Sequence, residues 1–301
     1  MRVLVSGSTG LIGSMLVRTL EAGGNEVLRL LRPQSPGPAR GILWDPVAGS
    51  LERREIEGFD AVVHLAGENI ANRRWSSAQM ARIRDSRIGS TRLLAETLAS
   101  LESPPSVFAC ASAGGYYGDR GSEVLDEDSH PGTGFMASST REWEDATAAA
   151  AAADVRVVNL RIGVVLTAAG GMLTRVLPFF RLGLGGRLGS GSQFMSWLTR
   201  SDAIDAIVWT LERDDLSGPF NVSSPNPVTN SEFTRALARA LGRPAVFAVP
   251  EVALRIVQGD LAEVVTSSAR MDPARLSASG FEFKHPEIDG ALRWALTDNL
   301  R

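Results

Sequence analysis

Arg2-Val3-Leu4-Val5-Ser6-Gly7-Ser8-Thr9-Gly10-Leu11-Ile12-Gly13 decides the fold of this chain. The apolar run that starts at the second residue reads as a buried strand. It passes directly into Gly-x-x-Gly-x-x-Gly and then into a helical pattern that sets Leu11, Met15, Leu16 and Leu20 on one face. Gly7 makes a turn that a Cβ would obstruct, and Gly10 lets backbone approach a pyrophosphate. Gly13 lets the helix pack close to the strand, so its free N–H groups point at the anion. Ser8, Thr9, Leu11 and Ile12 complete a dinucleotide-binding turn.

The next strand, Glu26 to Leu31, selects the dinucleotide. Its end lies beside the adenine ribose, where an NAD binder places an Asp or Glu to accept from the 2′-hydroxyl. This chain places Arg32 there, followed by Pro33. A guanidinium pairs with a 2′-phosphate, so the expected cofactor is NADP.

With 301 residues the chain can bury a full α/β core and carry a smaller lobe. A net charge of −3 without a basic stripe argues against nucleic acid as a partner. One cysteine, Cys110, excludes an intramolecular disulfide. A core strand beginning at once leaves no room for a secretory signal, and no apolar stretch is long enough for a bilayer, so a cytoplasmic, membrane-free protein is expected. His64, His130 and His285 lack metal-ligand spacing, so no metal is expected. His64, inside an apolar strand, reads as a satisfied core residue.

Strands and helices alternate down the chain. Asp60 to Gly67 reads as a strand, Ser76 or Ser77 opens a helix towards Leu101, and Ser106 to Ala111 reads as the next strand. Residues 119–134 form a polar loop, Phe135 to Ala153 a helix, and Val155 to Leu160 a strand. This order predicts an α/β, Rossmann-type doubly wound parallel sheet with ligands across the strands' C-terminal ends. Beyond Leu166 the pattern changes to a helix Met172 to Phe180 and a glycine-rich stretch Arg181 to Gly191. Asp202 is expected to cap a helix to Leu211, with Pro219 to Val222 a further sheet strand. Residues 1–164 and 194–222 are read as the NADP-binding domain, and 165–193 with 223–301 as a small, discontinuous substrate lobe. The glycine-rich stretch reads either as a loop closing on a ligand, with Arg181 and Arg187 available for anions, or as a crossover between lobes.

Gly7-x-x-Gly10-x-x-Gly13, Leu65-Ala66-Gly67-Glu68-Asn69-Ile70, Arg74-Trp75, Asp85-Ser86-Arg87, Gly115-Tyr116-Tyr117-Gly118 and the stretch Phe180 to Trp197 carry a resemblance over almost the whole chain. Together they resemble the epimerase-like branch of the extended short-chain dehydrogenase/reductases, the nucleoside-diphosphate-sugar epimerase type. Some bacterial members of that branch carry a cell-division-inhibitor label. The resemblance implies an NADP site lined by the glycine turn, Arg32, Leu65, Ala66, Gly67, Arg87 and Val165. It also implies a small-molecule substrate such as a sugar derivative, and a homodimer built on the helices around 77–101 and 135–153. Arg87, beside Ile83 and Ile88 on its helix, can bury its stem and present its fork to phosphate or to backbone carbonyls; the alternative is an exposed charge paired with Asp85 or Glu96. Glu68, Trp75 and Arg187 are candidate substrate residues or pocket framing. Trp197 is a candidate stacking platform or an anchor between lobes.

The chemistry departs from the larger family. Short-chain dehydrogenases use a Tyr whose proton exchange is tuned by a Lys four residues on, with a Ser or Thr holding the substrate oxygen. Ser112 fits the last role. Phe135-Met136-Ala137-Ser138-Ser139 stands where Tyr-x-x-x-Lys should open a helix, and Met195 stands where the sugar-nucleotide epimerases keep a phosphate-binding Arg. The chain's single lysine is Lys284 and its two tyrosines are Tyr116 and Tyr117. The catalytic candidates are therefore Ser112, Tyr116 and Tyr117. The expected function is an NADP-binding, epimerase-like oxidoreductase with atypical catalysis; the alternative is a non-catalytic NADP(H) sensor or regulator.

Overall fold

The computed structural model describes residues 1–33, 41–71 and 73–298. Its first half contains strands β1 (Arg2–Ser6), β2 (Glu26–Leu31), β3 (Ile42–Asp45), β4 (Ser50–Leu51), β5 (Ala61–His64), β6 (Val107–Ala113) and β7 (Val124–Leu125), with helices α1 (Gly13–Ala22), α2 (Ser77–Ala99), α3 (Gly134–Asp145) and α4 (Ala148–Ala152). The second half contributes β8 (Arg156–Ile162), β9 (Val164–Leu166), α5 (Gly171–Arg181), β10 (Gly186–Leu188), β11 (Phe194–Met195), β12 (Trp197–Thr199), α6 (Arg200–Glu212) and β13 (Gly218–Val222). It ends in β14 (Val228–Thr229), α7 (Asn230–Leu241), β15 (Phe247–Val249), α8 (Glu251–Gln258), α9 (Leu261–Thr266), β16 (Arg270–Met271), α10 (Ala274–Ala278) and α11 (Ile288–Thr297).

Eight strands form the central sheet in the order β13-β8-β6-β5-β1-β2-β3-β4. Every pairing is parallel except β3 with β4. The chain winds outward from β1 to β2 and β3, then returns to β5 on β1's other side. That reversal puts a crevice at the C-terminal ends of β1 and β5, where doubly wound sheets bind ligands. The sheet is Rossmann-type.

Both faces of β1 are covered, which is why its sequence is apolar without alternation. Val3 and Val5 pack with Leu16, Val17 and Leu20 of α1 and with Ile204 and Ile207 of α6. Leu4 faces the opposite layer, with Val62, Phe108, Leu94 and Leu98 of α2, and Trp143 of α3. A third core joins Leu173, Leu177 and Phe180 of α5 to Trp197, Phe233 and Leu237 of α7 and Leu292 of α11.

Several boundaries differ from the sequence reading. The short strands β3 and β4 were invisible to it, because two and four residues carry too little period. The helix expected over 135–153 divides at Ala146 and Thr147, where the Thr147 hydroxyl donates to the Glu144 carbonyl. The cap of α6 is Thr199, whose side chain accepts from the Asp202 N–H. Asp202 lies inside the helix instead, and its carboxylate accepts from the backbone N–H groups of Lys284 and His285. It ties the C-terminal segment to α6. Among the described residues no helix is long and apolar enough to cross a membrane.

Candidate functional site

The glycine turn has no room for side chains at two of its three glycines. A Cβ on Gly7, whose φ is +68°, would lie 2.6 Å from the Leu65 carbonyl carbon. One on Gly13 would lie 2.2 Å from the Gly7 oxygen. Gly10 is exposed, and its Cβ would meet only the Gly7 oxygen at 3.1 Å, with the solvent side of the turn open. Gly7 thus brings the turn against Leu65 and Ala66, and Gly13 brings α1 against the turn. The Ser8 hydroxyl is buried without a hydrogen-bond partner. An orphaned hydroxyl behind a turn whose outer side is open at Gly10 fits a bound pyrophosphate.

The other candidates for the cofactor surround this turn unevenly. Arg32, at the exposed end of β2, has no hydrogen bond or ion pair among the described residues. Leu11 packs on Gly170 and Gly171, where a Cβ would meet its side chain at 2.8 and 3.4 Å, so the approach to α5 closes one flank. Val165, in β9, is partly buried against the same core as Ile12 and Leu65. Gly67 is exposed, and a Cβ there would touch the Arg87 side chain at 3.4 Å. Arg87 donates to the Ile83 carbonyl and lies 5.2 Å over the Trp143 ring. Burial lowers its guanidinium to about 10, opposed by the Glu68 carboxylate, so it stays charged at neutral pH. Arg87 is therefore a half-buried cation beneath Gly67, with Glu68 as its charged neighbour. Neither Asp85 nor Glu96 makes an ion pair with it.

The three catalytic candidates differ in what they are bonded to. The Ser112 hydroxyl, 4% exposed, donates to Glu144 Oε1 at 2.5 Å. Glu144 holds Arg161 through both oxygens at 2.9 Å. Arg161 in turn donates to the Tyr117 hydroxyl at 2.9 Å, and that phenol lies 2.8 Å from both the Asp126 carbonyl and Asn221 Oδ1. Tyr117 is fully buried, and burial pushes its phenol up to about 12 against the pull of Arg161 and Asn221. Ser112 and Tyr117, catalytic candidates from sequence, are members of this closed polar network. Tyr116 differs: it is partly exposed, with the Arg161 guanidinium 3.5 Å from its ring centroid.

Two substrate candidates are covered by the fold. Trp197 is completely buried in the third core and donates to the Asn226 carbonyl. Trp75 is 3% exposed, donates to the Ile70 carbonyl, and meets Phe135 edge-on at 5.7 Å. Both are anchors, since their polar atoms are spent and their rings covered. Arg187 is exposed and wraps its own glycine turn by donating to the Gly189 and Ser190 carbonyls. Glu68 is partly buried; its carboxylate accepts from Gln79 and its N–H donates to the Ser86 hydroxyl.

Glu144, Arg161 and Asn221 were missed from sequence. Arg161 carried a signal, a cation in the apolar run Val157 to Ile162. Its partner, nearly twenty residues away on a helix with other acids, carried none.

A family model described as the NAD-dependent epimerase/dehydratase family matches residues 3–223. The chain belongs to that family. A second model, a domain of unknown function (DUF1731), matches residues 249–295. An epimerase family protein of Mycobacterium tuberculosis is 43% identical over 98% of this chain and 97% of its own length. The human epimerase family protein SDR39U1, 37% identical over 97% of this chain and 99% of its own, has been crystallised with NADPH. That structure matches with a TM-score of 0.88 at 34% identity, covering 98% of this chain and 99% of that one. The UDP-N-acetylglucosamine 4-epimerase of Bacillus cereus, 20% identical with a TM-score of 0.76 over 98% of both chains, shares the fold alone.

Proposed function

We propose that this family member is an NADP(H)-binding, epimerase-like oxidoreductase of the extended short-chain dehydrogenase/reductase type. The supporting observation is the combination of an open glycine turn, an orphaned Ser8 hydroxyl and an exposed Arg32 at the end of β2 without a partner among the described residues. The relative crystallised with NADPH supports the same cofactor. The turn and the α1 N-terminus would hold the pyrophosphate, Arg32 the 2′-phosphate, and the nicotinamide would supply or accept a hydride. Residues 165–193 and 223–301 serve as the lobe that closes on a small-molecule substrate. Tyr116 is the one phenol placed to exchange a proton, and it does so without a lysine partner.

A second reading, a non-catalytic NADP(H) sensor, has one observation in its favour: Ser112 and Tyr117 are locked in the buried Glu144–Arg161 network. One experiment separates the two. Purified protein is loaded with NADPH and offered a broad panel of carbonyl compounds and alcohols. Steady hydride exchange supports the enzyme; tight NADPH binding without turnover supports the sensor.

A further inference from the structure

Charge is unevenly spread over this molecule. The chain carries a net charge of −3, yet no Asp or Glu stands between Asp154 and Asp202, nor between Glu232 and Glu251. The fold brings these two acid-free stretches together. Leu173, Leu177 and Phe180 of α5 pack with Phe233 and Leu237 of α7, and β10 pairs with β15. A Cβ on Gly183 would lie 3.6 Å from the Pro244 side chain. Arg235 and Arg239, four residues apart on α7, line an open hollow with Arg243 just beyond the helix end. Arg175 and Arg181 of α5 are also exposed, and neither they nor Arg243 makes a hydrogen bond or ion pair among the described residues. The bordering carboxylates are engaged: Glu232 in the cap of α7, Glu251 with Arg255, and Asp289 with Arg239.

The same joint between α5 and β15 leaves apolar side chains in water. Phe179, Leu182, Leu184, Val246 and Phe247 are between 51% and 80% exposed. The Leu184 N–H donates to the Phe179 carbonyl, and Gly186 pairs with Phe247, which holds the group together. Phe179 and Phe247 are the two exposed phenylalanines among the described residues. They are not spare members of the third core, since Leu177 and Phe180 of the same helix already fill it.

The charge pattern selects the occupant. A two-fold contact with a second copy would set these arginines against themselves. A nucleic acid would match the arginines but leave Leu182, Leu184 and Val246 without an apolar partner. An anionic bilayer supplies both halves, phosphates for the cations and hydrocarbon for the protruding side chains. We propose that this end of the C-terminal lobe docks on an anionic lipid surface, with Leu182 and Phe247 entering the acyl boundary and Arg235 and Arg243 at the headgroup phosphates. The membrane-free expectation from sequence rested on the lack of a spanning stretch, which bears on crossing a bilayer and not on lying against one.

The test is co-sedimentation of the full-length protein with vesicles of phosphatidylcholine alone and of an equimolar mixture with phosphatidylglycerol. The expected result is binding to the mixed vesicles, reduced by added salt, and none to phosphatidylcholine alone. Leu182→Gln with Phe247→Gln, and separately Arg235→Gln with Arg243→Gln, should each weaken binding by about tenfold or more. All four side chains are exposed, so circular dichroism and the thermal midpoint should stay as in the wild-type protein, and the two pairs guard against one that misfolds. No binding to the mixed vesicles would overturn the proposal and leave the face to a protein partner. Equal binding to both vesicle types, or binding unchanged in either folded pair, would overturn it as well. A dimer in sedimentation equilibrium that Leu182→Gln with Phe247→Gln dissociates would overturn it in favour of a second copy.

Discussion

The glycine turn after β1 and the polar network beneath β6 occupy the same edge of the same sheet and are built on opposite terms. At the turn, groups are left unspent: Gly10 is open, the Ser8 hydroxyl is unpartnered, and Arg32 points from an exposed strand end. In the network every polar group is consumed: Ser112 on Glu144, Glu144 on Arg161, Arg161 on Tyr117, and Tyr117 on Asn221. Unspent donors are free to take a ligand. Satisfied ones hold the fold, because a buried polar group without a partner is costly.

That contrast fails first, if it fails, at Glu144. Glu144→Ala strands a buried guanidinium and should cost about 3–5 kcal/mol of stability, read from the denaturant midpoint. Arg161→Met combined with Glu144→Leu should recover most of the loss, since both charges leave together. A mild effect of Glu144→Ala would mean that the network is solvated and open to substrate.

At the turn the expected effect is on binding. Gly10→Val should weaken NADPH at least 100-fold, about 2.7 kcal/mol, with circular dichroism unchanged, because its side chain enters the open cradle and not the core. Retained affinity would move the cofactor away from this turn.

His64 sharpens the comparison from inside the sheet. It is fully buried between the Ser6 and Ser90 hydroxyls, and burial, assisted by the Arg87 charge, lowers its pKa to about 3 from 6.5. The imidazole stays neutral in the fold while the unfolded chain binds a proton below pH 6.5. The stability it contributes is present above that pH and declines by about 1.4 kcal/mol per unit as pH falls towards the folded value. His64→Gln should flatten that part of the stability-against-pH curve; an unchanged slope would show that His64 is hydrated.

The two adjacent tyrosines give the smallest and most discriminating pair. Tyr117→Phe should cost about 1–2 kcal/mol by leaving Arg161 and Asn221 short of a partner. Tyr116→Phe should change stability by no more than about 0.5 kcal/mol and, once a substrate is found, lower turnover. Equal effects on stability would erase the distinction between them.

Sequence legibility follows the same division. The turn was readable because strand, glycines and helix are contiguous, so each residue's role is set within about a dozen neighbours. Arg32 was readable as the residue ending the second strand. The network was not, because Ser112, Glu144, Arg161 and Asn221 meet only after two sheet crossovers. Ser112 looked catalytic for its place at a strand end, yet its hydroxyl points at α3. Trp75 read as a substrate or pocket-framing residue and Trp197 as a stacking platform or an anchor between lobes, alternatives that only the burial of both rings separates.

The central claim is that Arg32 reads a 2′-phosphate beside an open glycine turn. Calorimetric titration of the wild-type protein and Arg32→Ala with NADPH and with NADH tests it most directly. The account predicts that wild-type protein prefers NADPH by about 1.5–3 kcal/mol, the range of a charge-assisted contact, and that Arg32→Ala loses that preference while its NADH affinity stays the same. Equal affinity of the wild-type protein for both cofactors, or a preference that survives in Arg32→Ala, would contradict it.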